Sequence, residues 1–221
     1  ICTAHRLGVF VTTDIMFLNE HIARHVGTKD PARIRFLGRC FRRIFKQFPQ
    51  VAGVIVRFGE SDGVDVENEF QSSLVIRTPK QAHTYIRSLL PVCERYDRSM
   101  IVRTWTVGAY RIGDLMWNTR TYHRAFRGLD SPNLIVSLKY GESDFYRYLP
   151  LNPLFFEGTQ RKMIELQARR EYEGCGEFPS YVGFDYERYA DDLRHHRRLA
   201  GICVWCQTGG WARFRRLTFL R

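Results

Sequence analysis

The sequence has no apolar run approaching the ~20 residues that a membrane-spanning helix needs, and no signal-type apolar segment opens it. Low-complexity tracts, short-period repeats and linker-like stretches are absent too, which excludes disordered chains and repeat arrays. No Gly-rich phosphate loop follows the first strand-like segment, so the usual mark of an open nucleotide-binding sheet is missing. Lysine is scarce: only residues 29, 46, 80, 139 and 162, the remaining 29 of the 34 basic side chains being Arg. Against 23 acidic residues they leave a formal charge of +11. Such a surplus suits nucleic acid, an anionic polysaccharide or an anionic membrane surface. The Arg residues are scattered, with no dense basic tail, which counts against nucleic acid. The six cysteines lack the close, regular spacing of a disulfide scaffold. Cys203 and Cys206 form a C-x-x-C, but no second such pair or nearby His pair completes a zinc site. The stretch from Gly201 to Cys206 has strand character, in which residues three apart point to opposite faces.

What is present is a rhythm of strand and helix over 221 residues, 44% of them hydrophobic. Length alone allows one large domain or two small ones. Six β-branched or apolar segments predict buried strands: 7–13, 51–57, 100–103, 134–138, 162–167 and 201–206. Between them, Asp30-Pro31 predicts a capped helix carrying Ile34, Leu37, Phe41, Ile44, Phe45 and Phe48. Thr78-Pro79 opens another, with Pro91 expected to kink it. Further helices are expected from Asp114 to about Phe126 and from Tyr186 to Arg198. Alternation of this kind implies parallel pairing with right-handed crossovers. Every strand is followed by polar residues, as in a (β/α)8 TIM-type barrel, where chemistry sits past the carboxyl ends of the strands. Six units are visible where closure needs eight. The expectation is therefore a partial barrel over residues 1–221, units three to eight, with two units preceding Ile1.

Acidic groups at strand ends stand beside basic and aromatic ones, as carbohydrate cleavage demands. Glycoside hydrolysis needs a protonated carboxyl for the leaving oxygen and a carboxylate that activates water or attacks. Trp and Tyr faces stack on sugar rings, and Arg or Lys pairs with a substrate carboxylate. By position the candidates are Glu60, Glu142, Asp144, Glu165 and Glu171. Glu165 and Gln167 share one strand face, so Glu165 also fits an ion pair with an Arg in an internal polar layer. Arg103 and Lys139 close analogous strands, and internal pairing with those carboxylates is their alternative role. Trp105 and Trp211 lie beyond strand ends, where sugar stacking and rim packing are both open. His21 and His25 lie one helical turn apart, and His195-His196 falls among Arg residues on an expected helix face.

Residues 133–174 resemble the central barrel of the family 67 glycoside hydrolases, the α-glucuronidases. That family has a strand ending in Lys-Asn-Gly, then Asp-Phe, then Pro-x-x-Pro-Leu-Phe. The present sequence has Lys139-Tyr-Gly141, Asp144-Phe145 and Pro150-Leu-Asn-Pro153-Leu-Phe155. The family's Glu-Phe-Gln and Gln-Glu-Tyr-x-Gly correspond to Glu165-Leu-Gln167 and Arg170-Glu171-Tyr-Glu-Gly174. Val102-Arg103-Thr-Trp105 resembles its fifth strand, and the segment from Val54 to Glu60 resembles its fourth. The resemblance implies Glu60 as general acid, with Asp144 and Glu171 positioning and deprotonating water. It implies that Arg103 and Lys139 bind the uronic carboxylate. It also implies inversion of configuration, with acid and base on the order of 6.5–9.5 Å apart. Where the family has Ser-Glu-Gly, this chain has Gly59-Glu60-Ser61-Asp62-Gly63, so Glu60 and Asp62 compete for the acid's place.

The expected partner is an oligosaccharide or polysaccharide, with Trp105 and Trp211 beside it, and neither nucleic acid nor membrane. No metal or organic cofactor is needed. Three other readings stand beside this one: a non-catalytic carbohydrate-binding barrel, a uronate lyase and a basic nucleic-acid binder.

Overall fold

The computed structural model describes residues 2–15, 20–60, 74–168 and 181–205. Six strands form one sheet: β1 (Val9–Asp14), β2 (Val51–Arg57), β3 (Ser99–Arg103), β4 (Leu134–Lys139), β5 (Arg161–Gln167) and β6 (Leu199–Trp205). They lie side by side in chain order, and each neighbouring pair is parallel. Five helices accompany them: α1 (Glu20–Val26), α2 (Asp30–Gln47), α3 (Pro79–Arg95), α4 (Thr119–Phe126) and α5 (Gly183–Leu193). The six expected strands are all found, β2 with the expected bounds. The sheet is a curled α/β half-barrel, in which β1 and β6 each pair on one side only among the described residues. No helix among those residues is long and apolar enough to cross a membrane.

Side chains alternate along a strand, so the register sorts them into two faces. Val54, Val56, Met100, Val102, Leu134, Val136, Leu138, Ile164 and Leu166 share one face and are fully buried. Against them pack Phe41 and Phe45 of α2, Tyr85, Ile86 and Leu89 of α3, and Tyr122 and Phe126 of α4. The other, concave face carries Phe10, Gly53 and Ser99 in one row, and Thr12, Ile55, Ile101 and Ile135 in the next. Apart from Arg161, which opens β5 in register with Ile135, charged groups follow at the strands' carboxyl ends. Gly53 is required by close approach, because a Cβ there would lie 2.3 Å from the Ser99 carbonyl oxygen and 2.8 Å from the Phe10 ring.

Helix ends show where local signals were misread. Asp30 does not cap α2; Lys29 holds the cap position, and the Asp30 carboxylate accepts from Tyr85 Oη at 3.0 Å and Gln81 Nε2 at 3.2 Å, tying α2 to α3. Thr78 does cap α3, accepting from Gln81 N at 3.2 Å, and the helix continues through Pro91 to Arg95. α4 starts at Thr119 instead of Asp114, because the Asn118 side-chain oxygen accepts from both Arg120 N (2.9 Å) and Thr121 N (3.2 Å). α5 ends at Leu193, five residues short of the expected Arg198. The Arg198 carbonyl accepts from Lys162 N at 2.9 Å as β6 joins β5, which demands extended chain there. His196 consequently leaves the expected helix face, and its ring lies 2.6 Å from the Phe155 carbonyl oxygen.

Lys162 stands on the helix-facing side of β5 and is 1% exposed, with its ammonium donating to Tyr122 Oη and to the Glu157 carbonyl. Burial pushes its pKa from 10.5 down to about 7, with Arg198 adding to the fall and Glu157 opposing it. Below that pH the native state holds the proton at the full cost of burial. Above it, native Lys162 is neutral while the unfolded chain still binds the proton, so stability rises with pH. Cys93, pushed up by burial from 9.0 to about 12, acts in the opposite sense once the solution passes pH 9. The protein's unfolding free energy should therefore climb between pH 7 and about 9, by up to about 1.4 kcal/mol per pH unit. A Lys162→Met variant should lose that slope in chemical denaturation, and an unchanged slope would mean another group supplies it.

Candidate functional site

The carboxyl ends of β1 to β5 carry opposite charges in pairs along the concave rim. At the first of these ends, Arg57 closes β2 between two carboxylates, with Nε 3.4 Å from Asp14 and a terminal nitrogen donating to Glu60 at 2.9 Å. Further along, Arg103 closes β3 and reaches diagonally past Ser137 of β4 to Glu165 of β5. Its guanidinium grips that carboxylate with two hydrogen bonds, 2.9 and 2.5 Å, and Ser137 Oγ donates to the same group at 3.2 Å. The Glu165 side chain is 3% exposed and that of Arg103 11%, so this pair is almost wholly withdrawn from water. Burial alone would lower the Arg103 pKa, but the hydrogen bond and charge of Glu165, helped by Glu60, carry it upward.

Lys139, at the end of β4, donates to Asp144 at 2.5 Å, and its Nζ lies 2.9 Å from the centre of the Trp105 ring and 4.5 Å from that of Phe145. Its pKa is lowered by burial, against the upward pull of Asp144, Glu165 and Glu60 in turn. Carboxylates contributed by the segments after β2 and β4 and by β5 thus all act on one ammonium. Glu60 and Asp144 stay partly open to solvent, with side chains 22% and 26% exposed. Beside Lys139 and Asp144 lies a small hollow of about 30 Å³, walled by Tyr140, Phe145, Gln167, Asp185 and Tyr186. That is room for a water-sized group and far below the volume of a small-molecule site. Gln167 Nε2 donates to the Phe145 carbonyl at 3.0 Å and Tyr186 Oη to the Gln167 carbonyl, fixing α5 over the end of β5.

Of the residues expected from sequence, Glu60, Arg103, Trp105, Lys139 and Asp144 lie on this rim. Arg103 and Lys139 are both engaged by carboxylates of the chain itself, and Trp105 gives a ring face to Lys139. Glu165 occupies the internal polar layer that its shared strand face with Gln167 suggested, and Glu142 is exposed. Glu171, Trp211, Asp62 and Cys206 lie outside the described residues. Sequence reasoning placed Asp14 and Arg57 at strand ends without naming them as site candidates, and missed Trp205, whose ring centre is 5.1 Å from the Arg103 guanidinium. The signal for Arg57 and Trp205 was available, since each is the last residue of its strand. Tyr140, which replaces the Asn of the Lys-Asn-Gly pattern, points away from the rim: its ring stacks on Tyr189 at 3.8 Å and its hydroxyl donates to Asp192. His21 and His25 are exposed on α1, and no group of three or more metal-ligating side chains is found among the described residues.

No family model matches the chain. It is 26% identical over 223 residues to a probable alpha-glucuronidase A of Aspergillus flavus, covering 93% of this chain and 25% of that protein. A probable alpha-glucuronidase A of Aspergillus terreus is 29% identical over 177 residues, covering 76% and 20%. The relationship is distant, and the chain spans a quarter or less of the length of these curated relatives. Among solved structures, an endo-beta-1,4-glucanase of Xanthomonas axonopodis pv. citri superposes with a TM-score of 0.55 at 11% identity, covering 96% of this chain and 67% of that one. That likeness concerns the fold, which is TIM-barrel-like.

Proposed function

We propose that this rim belongs to an inverting glycoside hydrolase that removes glucuronic acid from oligo- or polysaccharides. The observation that carries the reading is the presence on one rim of Glu60, paired with Arg57, and Asp144, paired with Lys139, two partly solvated carboxylates contributed by segments far apart in the chain. The distant kinship with proteins named as alpha-glucuronidases supports the choice of sugar. Glu60 protonates the glycosidic oxygen while Asp144 and Glu171 deliver water to the opposite ring face. An ammonium has three donors and a guanidinium five. Asp144 takes one from Lys139 and Glu165 takes two from Arg103, and a uronic carboxylate reaches the remaining donors only through the small part of each side chain, 6% of Lys139 and 11% of Arg103, that meets the surface. Trp105 and Trp211 flank the sugar.

The test is a screen on aldouronic oligosaccharides and on neutral 4-nitrophenyl glycosides, comparing the protein with its Glu171→Gln variant. Release of glucuronic acid by the first and its loss from the second is the expected result. Saccharide binding without any release would transfer the rim to a non-catalytic binding protein, and an unsaturated product absorbing in the ultraviolet would make it a lyase.

A further inference from the structure

On the helical side of the sheet, α3 and α4 border an open groove of about 1050 Å³. Its walls carry five cations: Lys80 of α3, Arg111 from the segment before α4, Arg120 and Arg124 of α4, and Arg127 just past its end. All five are exposed, and no carboxylate lies within ion-pairing distance of any of them among the described residues. Some helix cations are paired, Arg24 with Glu20, Arg33 with Asp30 and Arg194 with Asp191. Arg35, Arg39, Arg43 and Lys46 of α2 are exposed and, among the described residues, without a carboxylate partner like those of the groove, but they do not line a hollow. The first turns of α3 and α4 contain no acidic residue, so their positive dipole ends add to the potential of the side chains instead of being offset by it. His123 is held by Glu157 at 2.7 Å and His83 lies 3.2 Å from the Ala125 carbonyl oxygen, which fixes the groove floor without lowering its charge much.

We infer that this groove binds an acidic polysaccharide, a chain of uronate residues, through side chains that the rim does not use. The choice of partner rests on the proposed function, under which the substrate already carries uronic acid. It rests also on the groove's composition. No Phe, Tyr or Trp lines it, so it lacks the stacking faces by which single-stranded bases and neutral sugar rings are held. Nor does an apolar side chain protrude that would enter a lipid surface. Arg in four of five places suits planar carboxylates, which it can grip with two parallel hydrogen bonds.

Affinity electrophoresis through gels containing polygalacturonate, neutral arabinoxylan or duplex DNA tests the inference without any need for turnover. The protein should be retarded by polygalacturonate at low salt and released by salt, while neutral arabinoxylan leaves it unretarded. Combining Lys80→Gln, Arg120→Gln, Arg124→Gln and Arg127→Gln should weaken the retardation about tenfold or more. A control variant losing the exposed cations Arg35, Arg39, Arg43 and Lys46 of α2 has the same net charge and should bind as the parent does. Equal losses in both variants would reduce the effect to bulk charge and overturn the site, as would no retardation at all. Stronger retention by duplex DNA would reassign the groove to nucleic acid. Because the rim uses none of the groove's side chains, turnover of short aldouronic substrates should be unchanged in the groove variant. Absence of turnover with intact groove binding would sink only the catalytic proposal.

Discussion

Replacing Glu165 with Ala will lower the unfolding free energy by about 3–5 kcal/mol, measured by urea denaturation. The carboxylate is almost fully buried and takes two hydrogen bonds from Arg103 and one from Ser137. Its removal leaves a guanidinium out of contact with bulk water and facing a void, and a buried charge without a partner costs more than the pair contributed. Glu165→Gln should cost less, since the amide keeps one acceptor oxygen for the same donors. The more informative variant joins Arg103→Met with Glu165→Leu. Replacing both charges by apolar groups of similar size removes the desolvation burden together with the attraction, so stability should stay within about 1 kcal/mol of the parent. If that double variant folds and yet hydrolyses nothing, the pair exists to present a cation at the rim. A single Ala variant as stable as the parent would show that Arg103 has another anion within reach.

Glu60→Gln should reduce kcat on an aldouronic oligosaccharide by about 10²–10⁴-fold while leaving KM nearly unchanged. Gln retains an oxygen to accept the 2.9 Å hydrogen bond from Arg57, so the rim keeps its shape and substrate still binds. What is lost is the proton for the departing oxygen. The deficit should therefore shrink with a 4-nitrophenyl glucuronide, whose leaving group departs without needing protonation. A deficit equal for both substrates would assign Glu60 to something other than acid catalysis. Full activity in Glu60→Gln together with inactivity in Asp62→Asn would move the acid two residues along.

How far the sequence carried these conclusions depends on the range over which each signal acts. Parallel strands packed between a concave face and helices read as near-continuous β-branched runs, so β2 and β4 could be placed within a residue. Thr78 capped α3 as its neighbour Pro79 indicated, because a cap is settled within four residues. Asp30 had an equally good local signature, but two donors from α3 drew its carboxylate into a contact between helices. The start of α4 was misplaced because Asn118 competes better for the first N–H groups than Asp114 does. The Arg103–Glu165 pair spans three strands, and its diagonal follows from the relative register of β3, β4 and β5. Nothing local encodes that offset, so sequence could name both residues and leave pairing with each other as one option. Arg57 was passed over for a simpler reason, since attention went to the acid beyond the strand instead of to the base that ends it.

The rows of the concave face divide each strand into two zones with different tolerance to change. Positions such as Gly53, Ile101 and Ile135 are bounded by backbone and side chains of the neighbouring strands, and substitution there disturbs the scaffold. The terminal positions, Arg57 and Lys139 among them, bond mainly to carboxylates and rings of the segments that follow the strands, Glu60, Asp144, Trp105 and Phe145. Drift can therefore exchange one charge pattern for another at the tips while the barrel wall stays as it is. A lineage built this way can change the chemistry its strand ends present through a few substitutions there, without refounding its core.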